Sequence, residues 1–301
     1  TIGGSGDWRP PTKAIAVTVL GLPVAGVLLS TWWRQYSVEL EIPHADPLLL
    51  TLGLLGMPVA VLLQVVRTGA MFQMAPKEAI ARLWRPVLGA HAINTLGPGL
   101  GDLFEMWRVS SAVRRPVREV VATLVLRMVT TIAALLLLAA AALSVVDLRL
   151  CALITGAAVL GPLIAASTWT RWRAWITIPG VLGPAEFQRQ RFRAPEIFGH
   201  TALALIQGLF EAAGYFFISR AVAEPVTVLA SMGVLSFVEL ISYLPIPLAG
   251  AGLHHWGAVG AAISLDPAGG LPATTTALHH GWVICVGILA GLLALMPGRR
   301  T

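Results

Sequence analysis

The chain has 301 residues, of which 56% are hydrophobic and only 12% charged, about half the roughly 25% charged of an ordinary soluble domain. That balance excludes a soluble globular protein. The surplus of 21 basic over 15 acidic residues, a net charge of +6, does not point to nucleic acid, because the basic side chains fall in short stretches between apolar runs, where they act as topology signals and contacts to anionic lipid.

Residues 1–12 form a polar, Gly-rich lead with no signal-peptide cleavage pattern and stand outside the fold argument. Residues 13–46 carry a first span, Lys13 to Trp33, and a loop whose Glu39, Glu41 and Asp46 oppose only Arg34, which places that loop outside. A second span, Pro47 to Val66, returns to Arg67, Lys77, Arg82 and Arg85 on the inner side. The apolar segment from Pro86 to Met106 then leads to Arg108, Arg114, Arg115 and Arg118, which also demand the inner side, so it must enter and leave the membrane on one face. Its middle, Asn94 to Asp102, holds Gly97, Pro98, Gly99 and Gly101, a helix-breaking turn tolerated at membrane depth only where protein or water covers the backbone.

Spans at Val120–Val146 and Leu150–Ser167 go out and back around Asp147 and Arg149, delivering Arg171, Arg173, Arg189, Arg191 and Arg193 to the inner side. Aromatics and arginines from Thr168 to Arg193 read as an interfacial helix on anionic inner-leaflet lipid. A fifth span, Ile197 to Ser219, exits to Arg220 and Glu224; a second broken segment from Tyr243 to His255, rich in Pro and Gly, reads as a hairpin entering from outside; and a last span, Ala273 to Met296, ends at Arg299 and Arg300. In this scheme 17 of the 21 basic residues lie inside and six acids outside.

The two broken segments align at an offset of 149 residues, Pro98 with Pro247, Gly101 with Gly250 and Trp107 with Trp256, with Glu105 opposite His254. The expected fold is therefore an all-α polytopic membrane protein with six spanning helices and two re-entrant broken-helix hairpins in an inverted repeat. Its parts are repeat 1 (47–146), a linking span with the basic segment (147–195) and repeat 2 (196–301). Interrupted helices in corresponding positions of such repeats point to a binding site near the membrane midplane.

The stretch from Ala90 to Val129, with Asn94, Pro98, Gly99, Gly101, Asp102, Arg108 and Arg127, resembles the lysylphosphatidylglycerol synthetase transmembrane (flippase) family, and Tyr243 to Leu265 looks like that family's second motif. In two places the chain departs from it: His255 stands where a Glu is expected, and His279 or His280 falls near an expected Arg. The resemblance implies movement of a lipid, often one with a modified or glycosylated headgroup, between leaflets of the inner membrane.

Ionisable groups at membrane depth are costly and face a partner or an aqueous cavity. Asn94, Asp102, Glu105, Arg108, Arg127, Glu211, Glu239 and His255 are accordingly the candidate substrate-binding residues. Arg127 suits a headgroup phosphate, or an ion pair with Glu105, Glu211 or Glu239. Glu211 and Glu239, inside apolar helices, suit a cationic headgroup or a proton. Cys151 and Cys285 lack metal or disulfide spacing, the pairs His254-His255 and His279-His280 lack the further ligands of a zinc set, and no phosphate loop, GxSxG or HExxH occurs. No cofactor or metal is expected. The expected partners are a membrane lipid, anionic inner-leaflet lipid and, on a different reading, a lipid-synthesising enzyme. Besides transport, the alternatives are a membrane enzyme modifying lipid headgroups and a non-transporting subunit of a lipid-synthesis complex.

Overall fold

The computed structural model of the chain describes residues 45–96, 100–144, 146–172, 194–224, 226–242, 265 and 273–295. The expected first span, Pro98 and Gly99 of the first break, residues 173–193 of the basic segment, and the second break with His254 and His255 lie outside the described residues. Among the described residues there are eight α-helices and no strand: α1 (Pro47–Met71), α2 (Pro76–Leu96), α3 (Leu100–Val113), α4 (Val117–Leu143), α5 (Leu148–Trp172), α6 (Ala194–Ala221), α7 (Val228–Ser242) and α8 (Ala273–Leu295). Three helical stretches, Pro47–Met71, Glu119–Leu143 and Ala194–Ala221, are long and apolar enough to cross a membrane.

Local chemistry explains several boundaries. Asp46 starts α1 by accepting from the amides of Leu48 (2.8 Å) and Leu49 (3.1 Å), and Asp147 starts α5 in the same way with Arg149 (2.8 Å) and Leu150 (3.1 Å). At the ends of α1 and α6 the turn is also the same. Gln73 (φ 61°) and Ala223 (φ 57°) take the left-handed conformation, and amides five and three residues on return to the helix: Met74 to Gly69 and Gln73 to Ala70, then Glu224 to Ser219 and Ala223 to Arg220.

Two boundaries differ from expectation. The second span does not end at Val66 but runs to Met71, because Thr68, Gly69, Ala70 and Met71 continue the helix and bury one face, so that Arg67 lies inside the bundle and not in a loop. The broken segment does not begin at Pro86 either: α2 starts at Pro76 and takes Pro86 within it.

The most extensive helix contact is that of α1 with α6. They run antiparallel, since the Asp46 amide donates to the Ala221 carbonyl (3.0 Å) at one end. Their crossing requires glycine: a Cβ on Gly56 would stand 2.7 Å from the Phe210 carbonyl oxygen, and one on Gly53 2.9 Å from the Ile218 amide nitrogen. Close approach through small residues is how helices gain dispersion contact where no hydrophobic effect drives them together. Pro58 inside α1 cannot donate to the Leu54 carbonyl, and the indole N–H of Trp282 on α8 supplies that bond instead at 2.7 Å.

Helices α2 and α3 pack against each other as a hairpin. An apolar cluster of Val65, Phe72, Leu83, Val87, Val109, Val120 and Leu124 ties the end of α1, the start of α2, the end of α3 and the start of α4 together. The Arg115 guanidinium, in the α3–α4 turn, lies 5.9 Å from the ring centre of Phe72, in the α1–α2 turn. Both open ends of the hairpin thus lie at one end of the bundle.

Candidate functional site in the first hairpin

Asn94, in the last turn of α2, closes the hairpin. Its Oδ1 accepts from the Gly101 amide (2.8 Å), and its Nδ2 reaches Asp102 Oδ1 at 3.4 Å. Gly101 is required there because a Cβ would overlap the Ala90 carbonyl oxygen and the Asn94 amide. Asp102 sits in the first turn of α3, where a carboxylate is favoured by the exposed amides and the positive end of the helix dipole.

Glu105 lies three residues further along α3, on the same side of the helix. Only 1% of it is exposed, and the Arg127 side chain opposite, on α4, is 11% exposed. The two form a bidentate pair: Arg127 Nη2 donates to Glu105 Oε2 at 2.6 Å and Nη1 to Oε1. Of the three acids that the sequence offered to Arg127, the fold selects Glu105. Nη1 also donates to Thr68 Oγ1 of α1 at 3.0 Å.

Behind this pair lies a residue that sequence reasoning placed in a loop. Arg67, 1% exposed, donates to Thr131 Oγ1 (2.9 Å), to the Arg127 carbonyl (2.8 Å) and to Thr130 Oγ1. The same carbonyl also accepts from the Thr131 (2.8 Å) and Thr130 (2.9 Å) hydroxyls. The signal for Arg67 was the apolar run from Thr68 to Phe72 that follows it, too apolar for a cytoplasmic loop. The result is a hydrogen-bonded network of two guanidiniums, one carboxylate and three threonine hydroxyls shared by α1, α3 and α4. Arginine forks of this kind match the paired oxygens of carboxylates and phosphates alike.

The other expected site residues are distributed elsewhere. Arg108 does not join the network; its guanidinium stacks 5.3 Å from the Trp107 ring centre. Glu211 on α6 accepts from Gln207 Nε2 (3.3 Å), and Glu239 lies on α7, which packs against α6. His255 lies outside the described residues. Thr276, 149 residues beyond Arg127, accepts or donates a 2.7 Å bond with the Tyr215 hydroxyl, and Tyr215 meets the His279 ring edge-on at 5.4 Å. Thr276 of α8 and Tyr215 of α6 thus form a hydroxyl pair between the two helices.

Among the described residues no group of three or more His, Cys, Asp or Glu side chains could hold a metal ion. Comparison with protein-family models, curated proteins and solved structures finds no match to the chain.

Proposed function

We propose that this protein is a lipid flippase of the cytoplasmic membrane, a secondary transporter that passes a polar, modified or glycosylated headgroup between leaflets while the acyl tails stay in lipid. The observation that carries the reading is the enclosed Arg67–Arg127–Glu105 network. Charges inside an apolar helical bundle are expensive and are retained where a polar substrate or ion must pass. Asn94 and Asp102, at the closed end of the same hairpin, extend the polar lining that a headgroup would use.

Re-entrance of the first hairpin and the inverted repeat belong to the same proposal. Helix α3 has 14 residues, about 21 Å at 1.5 Å per residue, short of a hydrocarbon core of about 30 Å. The helix borders recur at the offset of 149: α1 shifted by it falls at 196–220, beside the observed Ala194–Ala221, and α2 at 225–245, over Val228–Ser242. The contacts follow the exchange too, since α1 meets α6, α2 of the first half packs on α8 of the second, and α7 of the second packs on α4 of the first. The resemblance to the lysylphosphatidylglycerol synthetase transmembrane family points the same way, and the basic residues on the hairpin's open end favour the cytoplasmic side. Rocking of one half against the other would alternate access.

The test is translocation of a labelled lipid in proteoliposomes. Wild-type protein is expected to speed transfer between leaflets, and Asp102→Asn and Arg127→Ala to slow it by at least tenfold, about 1.4 kcal/mol of barrier. Unchanged transfer by both variants would remove the first hairpin from the pathway.

A further inference from the structure

Three features of the network go beyond lining a path. Glu105 fills the fork of Arg127 with both of its oxygens, as a phosphodiester would. Of the pair, Arg127 is the member with access, 11% exposed against 1% for Glu105. The arginine also has contacts from behind that do not involve Glu105, Thr68 on its Nη1 and Arg67 on its main-chain carbonyl, and these remain available whichever anion occupies the fork.

The geometry points to Glu105 as an internal stand-in for the ligand. A phosphate monoanion, carried on a lipid headgroup or free, takes the Arg127 fork by displacing the Glu105 carboxylate, and this exchange unlocks α3 from α4. The direct apolar contact between the two helices is small, with Met106 of α3 packed against the Val121–Ala122 cluster of α4 and Val109 in one cluster with Val120 and Leu124. The ion pair is a polar tie across it. A ligand able to break that tie couples its own binding to opening of the hairpin, because it binds the open state and not the closed one. This inference rests on the transport reading for its physiological ligand, while the exchange itself can be measured without transport.

The experiment uses the full chain with Cys151 and Cys285 changed to Ser and one reporter, Val121→Cys. Val121 is 8% exposed and is covered by Met106 of α3. The protein is held in nanodiscs of phosphate-free glycolipid, and the rate of labelling by a water-soluble thiol reagent is read with dihexanoyl phosphatidylglycerol, with inorganic phosphate, and with neither. Slow labelling without anion and a saturable rise of at least about tenfold with the short-chain lipid are expected. Glu105→Gln should label fast from the start, with little further rise. Arg127→Lys keeps the charge and loses the fork, so it should lose most of the anion response; its elution profile and thermal unfolding report whether it has folded.

A rise with phosphatidylglycerol only identifies a lipid headgroup as the ligand, and an equal rise with inorganic phosphate identifies the free ion; both support exchange. Labelling indifferent to both anions, or a full response in Arg127→Lys, overturns it. Anion-driven opening without any lipid translocation would leave the exchange standing and sink the transport reading. Translocation by the wild-type protein that is slowed by Arg127→Ala, with labelling indifferent to both anions, would do the reverse.

Discussion

Glu105 and Arg127 are worth more as a pair than either is alone. Breaking a buried ion pair from one side leaves the other charge enclosed and costs about 3–5 kcal/mol, whereas replacing both partners with apolar side chains of similar size is often neutral or better. Glu105→Ala is therefore expected to lower stability by about that amount, and Glu105→Leu with Arg127→Met to recover most of it, as read from reversible unfolding in detergent. A double variant that is no more stable than Glu105→Ala would mean that the network stabilises by a route other than charge pairing. Trp282 makes a smaller case. Its indole bond to the Leu54 carbonyl replaces the donor that Pro58 lacks, so Trp282→Phe should cost about 1 kcal/mol by the same measurement.

Helix pairs here are set by where side chains are missing. Gly53, Gly56 and Gly214 bring the backbones of α1 and α6 within contact distance, and a Cβ on Gly214 would stand 2.9 Å from the Gly53 carbonyl oxygen. Gly56→Leu is expected to destabilise by about 1–3 kcal/mol through overpacking. Gly156 and Gly161 on α5 have nothing within 4 Å of such a Cβ. Substitution there by Ala should be neutral or stabilise by up to about 1 kcal/mol through helix propensity. If both sets behave alike in thermal unfolding, the α1–α6 crossing does not govern stability. The composition showed 30 glycines, but only the packing separates those at a crossing from those on an open face.

For the whole molecule the decisive prediction concerns sidedness. With the native cysteines removed, Gln73→Cys in the α1–α2 turn and Arg115→Cys in the α3–α4 turn should label from the same side of the membrane, and Ser144→Cys, after α4, from the opposite side. Labelling of Gln73→Cys and Arg115→Cys from opposite sides would make α2–α3 a crossing and remove the re-entrant reading. The charges already implied this arrangement, and the adjacency of Arg115 to Phe72 supports it. All-helical character, apolar helices of membrane length, the existence of a break near Asn94 to Asp102 and the candidacy of Asp102, Glu105 and Arg127 were determined by the sequence, because hydrocarbon admits few backbone solutions and few charges. Which acid Arg127 takes, that Arg67 lies inside the bundle, and that Arg108 turns aside to Trp107 were decided only by tertiary structure. Those outcomes depend on which faces of α1, α3 and α4 meet, and residues about 20 and 60 positions apart in the chain, Glu105 with Arg127 and Arg67 with Arg127, become neighbours only once the helices have packed.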